Sequence, residues 1–391
     1  MAGAASLTLL LGLLIALTPL GTDSWQPILP ALAADLGATV SEAQFTVTTF
    51  FAGLALGQFA WGPVSDRYGR KPVLAAGLGL GVAASLACVA AASAGEVAAG
   101  RFVLGLGMSS GPVIARAIVR DLYTHDRAAG LLARMVLVFS LVPVTAPLLG
   151  GAMLILGGWR AVLWLYLVIC GVLLAACAGT LGETAPEARG SISPRAIARR
   201  CREILAEPRF LAPFGAMLFS QAGIFAFVSN SAFTLIRGLG VKPALYSVMF
   251  AGVMLGQIAG AWVSSRLVER IGLSRLLRTG TLIVALGGLT LAALAWAGAA
   301  HWLAVVVPFM AYMFGTALIM PNATAAALSP FPHSAGAASS VMGASQFALG
   351  ALVSAVLGLL FDGTARPMTS VAALAGVGAF LIERTFVRGK R

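Results

Sequence analysis

The sequence predicts an all-α membrane protein with twelve transmembrane helices in two pseudo-symmetric six-helix halves. Three observations carry that expectation. Of the 391 residues, 59% are hydrophobic and 10% charged, and the mean hydropathy is +0.93, more apolar side chain than a water-facing globule of this size can bury. Twelve mainly apolar runs follow one another, each near the ~20 residues that a bilayer crossing needs. They are 6–32, 42–63, 73–93, 97–119, 129–154, 159–181, 210–234, 244–267, 275–298, 302–327, 336–361 and 367–386. The third observation is that basic residues alternate by loop. Arg67, Arg70 and Lys71 follow run 2, Arg120 and Arg127 follow run 4, and Arg266, Arg270 and Arg275 follow run 8. Arg189, Arg195, Arg199, Arg200, Arg202 and Arg209 crowd the central loop, and Arg384, Arg388, Lys390 and Arg391 the tail. The opposite loops hold Arg160, Arg237, Lys242 and Arg366. The positive-inside rule then puts both termini in the cytoplasm.

Run 1 has no basic leader and passes through Pro19, Asp23 and Trp25 without a small-x-small cleavage site, so it reads as helix 1 and not a removed signal peptide. Between runs 2 and 3 lies Gly62-Pro-Val-Ser-Asp-Arg-Tyr-Gly-Arg-Lys-Pro72, whose glycines and prolines argue for a charged cytoplasmic hairpin loop over continuous helix. Pro143, Pro147, Gly150 and Gly151 bend and thin run 5, which suits close packing between moving halves. The stretch 182–209 is the one long polar break and reads as a basic cytoplasmic linker between an N-terminal half, 1–181, and a C-terminal half, 210–391. Within it, 194–205 places Ile197, Cys201, Ile204 and Leu205 on one side and arginines on the other, the pattern of a helix lying on anionic lipid. The halves echo each other: Gly57-Gln58 matches Gly256-Gln257, and Ser65-x-Arg67 matches Ser264-x-Arg266, at one constant offset of about half the chain. Ser265 stands where the first copy has Asp66. Parallel repeats of this kind put a solute site between the halves near mid-membrane.

The net charge of +12 is explained by topology, since no aromatic interleaving marks a nucleic-acid groove. Cys88, Cys170, Cys177 and Cys201 lack metal-ligand spacing and are expected to be free thiols. No Walker-type loop is present, so no nucleotide or other cofactor is expected in this chain, and a proton gradient is the expected energy source.

Two charges sit well inside apolar runs: Asp23 in run 1 and Arg101 in run 4. Each costs at least about 2.5–3.5 kcal/mol there, so each needs a partner or a task. At ~1.5 Å per residue they lie roughly 14 Å and 6 Å below the outer ends of their helices, a difference that the arginine stem bridges in large part. Two readings follow. One is a buried ion pair that locks helix 1 to helix 4. The other is a proton and substrate switch in which movement of Arg101 changes the proton affinity of Asp23. By repeat logic helices 1, 4, 7 and 10 line the cavity, offering Gln26, Gln221, Phe225, Asn230 and Asn322. So few polar groups suit a lipophilic, near-neutral solute better than a sugar.

The run Gly62 to Pro72 resembles the loop signature between helices 2 and 3 of the major facilitator superfamily, and Arg101-Phe-Val-Leu-Gly-Leu-Gly107 resembles its helix 4 motif. Ala115-Arg-Ala-Ile-Val-Arg-Asp-Leu122, Met320-Pro-Asn-Ala-Thr324 and Ala327-Leu-Ser-Pro330 resemble the Bcr/CflA-type drug-resistance transporters. Ala146-Pro-Leu-Leu-Gly-Gly151 departs from the antiporter pattern in having Ala for its first glycine. The resemblance implies a drug:proton antiporter of the bacterial inner membrane, a monomer exporting phenicol- or bicyclomycin-like antibiotics, with an acidic helix 1 residue that recognises substrate. It also implies that Asp66, Arg70 and Asp121 form a cytoplasmic conformational latch. Two other readings stay open: a permease for an endogenous metabolite such as an amino acid derivative, and a non-transporting sensor or enzyme on the same scaffold.

Overall fold

A computed structural model describes residues 4–123, 125–185, 194–331 and 335–388, and among the described residues all regular structure is helical. Arg189, Lys390 and Arg391, counted above toward topology, lie outside the described residues. The chain divides into two compact units, Met1–Ala196 and Ile197–Arg391.

In the first unit, run 1 is not one helix. It forms α1 (Ala4–Asp23), a 3₁₀ turn (Gln26–Ile28) and α2 (Leu29–Asp35). The continuous helix expected over 6–32 fails at a place physics marks: Pro27 has no amide to give the Asp23 carbonyl, and its ring crowds that carbonyl four residues back. Pro30 falls in the first turn of α2, where a missing amide costs nothing. The expected continuous helix over 97–119 breaks for the same reason. It forms α5 (Ala94–Met108) and α6 (Ser110–Leu122), with Pro112 four residues beyond Met108.

Between them, α3 (Val40–Tyr68) opens with a capping box in which Glu42 N donates to Thr39 Oγ1 at 3.2 Å and Thr39 N to Glu42 Oε2 at 2.8 Å. α4 (Arg70–Ala90) starts one residue after α3 ends. The expected hairpin loop is thus reduced to Gly69, whose φ of +100° makes the turn in a single residue; Pro63 stays inside α3. The unit ends with α7 (His125–Gly157) and α8 (Trp159–Thr180). Arg160 ties the ends of α2, α4 and α8 together, bonding Asp35 Oδ2 at 2.8 Å and the Val89 and Ala91 carbonyls at 3.2 and 3.1 Å.

The boundary between the units falls within α9 (Pro194–Leu205), and the second unit continues with α10 (Pro208–Ala232), which runs on as a π-helical segment (Phe233–Gly238). α11 (Pro243–Ile271), α12 (Leu273–Trp296), α13 (Leu303–Leu328), α14 (Ala335–Leu360) and α15 (Arg366–Arg388) complete it. Among the described residues nine segments are long and apolar enough to cross a membrane, fewer than the twelve expected. Runs 2, 5 and 12 do form the helices α3, α7 and α15. In α3 the polar Gln44, Thr46, Thr48 and Gln58 are buried, and among the described residues α7 has an apolar part over Leu141–Gly157. The protein is a multi-pass membrane protein.

Small residues set the tightest helix contacts, as expected where lipid supplies no hydrophobic drive between helices. A Cβ at Gly53 would overlap the Phe102 carbonyl oxygen, and one at Gly256 that of Met310, so α3 lies on α5 as α11 lies on α13. Gly150 of α7 meets the Ser24 carbonyl oxygen in the break of run 1. The run 5 glycines, expected to serve packing between moving halves, therefore include one that seats its helix on helix 1 of its own half. Gly150→Ala is expected to destabilise the protein by about 1–3 kcal/mol, read as a lower thermal midpoint in detergent. Gly171→Ala on α8, where nothing lies within 4 Å of the added carbon, should leave the midpoint unchanged or raise it slightly.

Candidate functional site

The break after Asp23 leaves carbonyls of the last turn of α1 without their helical donors, inside a span where no water is at hand to replace them. Three side chains supply missing bonds. Arg101 Nη2 donates to Gly21 O at 3.0 Å, the Tyr166 hydroxyl reaches the same oxygen at 3.4 Å, and Gln26 Nε2 donates to Thr22 O at 3.2 Å, while Ser24 Oγ adds a bond of 2.6 Å to Leu20 O, which already accepts the Ser24 amide. Ser24 Oγ and Tyr166 Oη also share a hydrogen bond of 2.7 Å. A cation at the C-terminal end of a helix is favoured by the macrodipole, so α1 offers Arg101 partial negative charge where it ends.

Arg101 is 0% exposed. Its guanidinium carbon lies 4.3 Å from the Trp25 ring centroid and 3.9 Å from that of Phe50. Two rings and a helix end thus hold the charge, a desolvated cation–π arrangement worth about 2 kcal/mol or more. Trp25 is itself fixed by an indole bond to Thr46 Oγ1 at 3.1 Å. Asp23, 8% exposed, belongs to the same break, yet no ion pair joins it to Arg101; among the described residues the ion pairs are others, Arg70 with Asp66 and Asp121, Arg160 with Asp35, and Arg199 with Glu203. The locked pair of the first reading does not form. Thr18 Oγ1, Gln26 Oε1, and Arg101 Nε and Nη1 are buried with no hydrogen-bond partner among the described residues.

The other expected cavity residues differ in how committed they are. Asn322, 3% exposed, donates to Ser264 Oγ at 3.0 Å and to Leu318 O at 2.8 Å, bridging α13 to α11. Phe225 packs on α14, its ring 6.4 Å from that of Phe347. Gln221 is half-buried on α10, and Asn230 is fully buried. Pro147 and Gly151 are buried in α7 and Pro143 half-buried.

The structure brings the three latch residues together. Arg70 Nη1 bonds Asp66 Oδ1, Arg70 Nε donates to Asp121 Oδ2 at 2.8 Å, and Nη1 also donates to Ser65 Oγ at 2.8 Å. Sequence reasoning missed a fourth acid. Glu183 Oε1 accepts the Arg70 amide at 2.8 Å and Oε2 the Lys71 amide at 3.2 Å, while Thr184 Oγ1 reaches Asp121 Oδ2 at 3.4 Å. A signal existed: Pro72 has no amide, so Arg70 and Lys71 carry the helix-start donors that must find an outside acceptor. Burial pushes the Glu183 carboxyl up, but the amides of Ala185, Arg70, Lys71 and Thr184 outweigh it and hold its pKa below the usual glutamate range. A lowered folded-state pKa stabilises above the unfolded value and is lost as pH falls through the folded one. The bonds therefore persist at neutral pH.

Arg101→Lys keeps a charge but loses the planar group stacked between the rings. It is expected to cost about 2 kcal/mol of stability, read as a lower unfolding midpoint in detergent, with quenching of Trp25 fluorescence altered.

With this geometry in view, comparisons with known proteins are informative. The sequence model described as Major Facilitator Superfamily matches residues 11–382. A bicyclomycin resistance protein homolog of Haemophilus influenzae is 32% identical over 363 residues, 92% of this chain and 90% of that protein. Multidrug resistance protein D of Escherichia coli is 29% identical over 344 residues, 87% of this chain and 85% of that protein. Among solved structures, the E. coli xylose transporter XylE, in a partially occluded inward open conformation, superimposes with a TM-score of 0.76 at 16% identity, covering 98% of this chain and 97% of that one. At that identity the likeness shows the fold alone. The chain is a transporter, not an enzyme, and belongs to the major facilitator superfamily, in its Bcr/CflA-type drug-resistance branch.

Proposed function

We propose that the protein exports small lipophilic or amphiphilic drugs across the bacterial inner membrane in exchange for protons, by alternating access, as a monomer with both termini cytoplasmic. The observation that carries this reading is Asp23: a carboxyl buried at a helix break, not ion-paired with the neighbouring arginine, beside buried Thr18 and Gln26 atoms that lack partners. A carboxyl without a fixed counter-ion is free to exchange its proton for a bond to substrate. The family names of the relatives, bicyclomycin resistance and multidrug resistance, support drugs as the substrate class, with phenicol- and bicyclomycin-like compounds the first to test.

Arg101 gives the switch its second state. Held by the Gly21 carbonyl and two rings, it retains two unpartnered nitrogens that can pair with Asp23 once the proton leaves. Pairing with the ionised form would lower the proton affinity of Asp23, and separation would restore it. The Asp66, Arg70 and Asp121 network is the conformational latch of this cycle.

Drug accumulation in cells carrying the gene, measured with and without an uncoupler, tests the reading. Lowered accumulation that an uncoupler restores supports antiport; specific uptake of a metabolite would replace it with a permease, and no flux with a sensor. Asp23→Asn is expected to abolish proton-coupled efflux in protein still folded in the membrane, and undiminished drug/proton exchange would sink the proposal. Asp66→Asn should slow turnover more than it weakens drug binding, and a loss confined to binding would contradict its role.

A further inference from the structure

We propose that Glu183 is a positioning residue of the transport cycle, whose carboxylate closes the start of α4 and thereby holds the Arg70 guanidinium between Asp66 and Asp121. This rests on the functional reading above in so far as turnover is its readout; the cap itself does not.

A helix start leaves four amides without helical acceptors, and here each is accounted for. Gly69 N donates to Ser65 O at 3.1 Å, closing α3. Arg70 N and Lys71 N donate to the two oxygens of Glu183. Pro72 has no amide to satisfy. An anion at this end also meets the positive pole of α4. A Cβ at Gly69 would lie 2.5 Å from Glu183 Oε2, so a side chain at the turn would have to displace the carboxylate from the amides it holds.

Arg70 is the first residue of α4, so the direction of its side chain depends on a turn that frays unless its amides are held. Glu183 sits far along the chain, just past the end of α8, and its Oε1 also accepts the Thr184 and Ala185 amides at 2.9 Å each. One carboxylate thus fixes the first turn of α4 and the first residues of the segment leaving the N-terminal half. Lys71 Nζ adds a bond to Ala178 O at 2.8 Å on the same pair of helix ends. Movement of that segment would reach Arg70 through Glu183.

The test compares the parent protein with Glu183→Gln and Glu183→Ala, purified in detergent and, separately, in cells. Hydrogen exchange at the Arg70 and Lys71 amides should speed up about 5-fold or more, the loss expected for a helix cap, while the core of α8 keeps its protection. Drug export should lose maximal rate about 5-fold with KM unchanged. Adding Asp66→Asn to Glu183→Gln should cost little beyond Asp66→Asn alone, because both act through Arg70. Should Glu183→Ala fail to accumulate in the membrane, the near-isosteric Gln variant and its exchange rates decide. Unchanged exchange at Arg70 and Lys71 would overturn the cap; faster exchange with unchanged maximal rate, or a raised KM alone, would overturn the positioning role. A parent that exports no drug would overturn the functional reading instead, and the exchange comparison would still judge the cap.

Discussion

A backbone carbonyl left unpaired inside a membrane is the constraint on which the first half depends. Pro27 and Pro112 each remove a helical bond and interrupt a helix where no water replaces what is lost. At the first break side chains bond the freed carbonyls of Gly21 and Thr22: Gln26, Tyr166 and Arg101, drawn from the break itself, α8 and α5. These bonds fix where α5 and α8 stand relative to α1. Gly150 then brings α7 onto the backbone of the same break, so four of the half's helices meet where helix 1 stops being regular. Asp23 is placed there as the last residue of α1.

How much of this the sequence disclosed depended on the range of the interaction. The helical runs and their apolar length depend on near neighbours, and they lie close to where spacing put them. The breaks were also local, four residues before Pro27 and Pro112, but the strength of the apolar pattern over 6–32 and 97–119 outweighed the proline in the reading. Bringing Asp66, Arg70 and Asp121 together required the family resemblance, because Asp121 is far from Arg70 along the chain. Glu183 was passed over inside a stretch whose composition reads as linker. Its role becomes visible only when the donors at a helix start are counted and found to need an acceptor.

The duplication is kept in packing and lost in charge. Gly53 on Phe102 and Gly256 on Met310 give the two halves the same close helix pair. Ser65 and Ser264 both accept a side-chain donor, but the donor is the Arg70 guanidinium in one and the Asn322 amide in the other. At the second tight turn, Gly272 with φ +81°, no side-chain cap is formed, and the first helical bond runs from Leu276 N to Gly272 O at 3.3 Å. Close packing tolerates few alternatives to glycine, whereas the charged network stands in one copy only, with Ser265 in the place of Asp66. Divergence of the charges at fixed packing is what an asymmetric switch on a symmetric frame requires.

That asymmetry bears on why Arg101 is not spent on Asp23. A permanent buried ion pair would fix the carboxyl in its ionised form, since removing either partner leaves an unpaired charge at a cost of about 3–5 kcal/mol. Two ring faces and a carbonyl stabilise the arginine without asking for a negative charge. On the proposed reading, Asp23 can then be neutral, or charged and paired for part of the cycle with a nitrogen that Arg101 keeps free. The end of α1 at Asp23 leaves the Gly21 carbonyl open to Arg101, which makes this arrangement available.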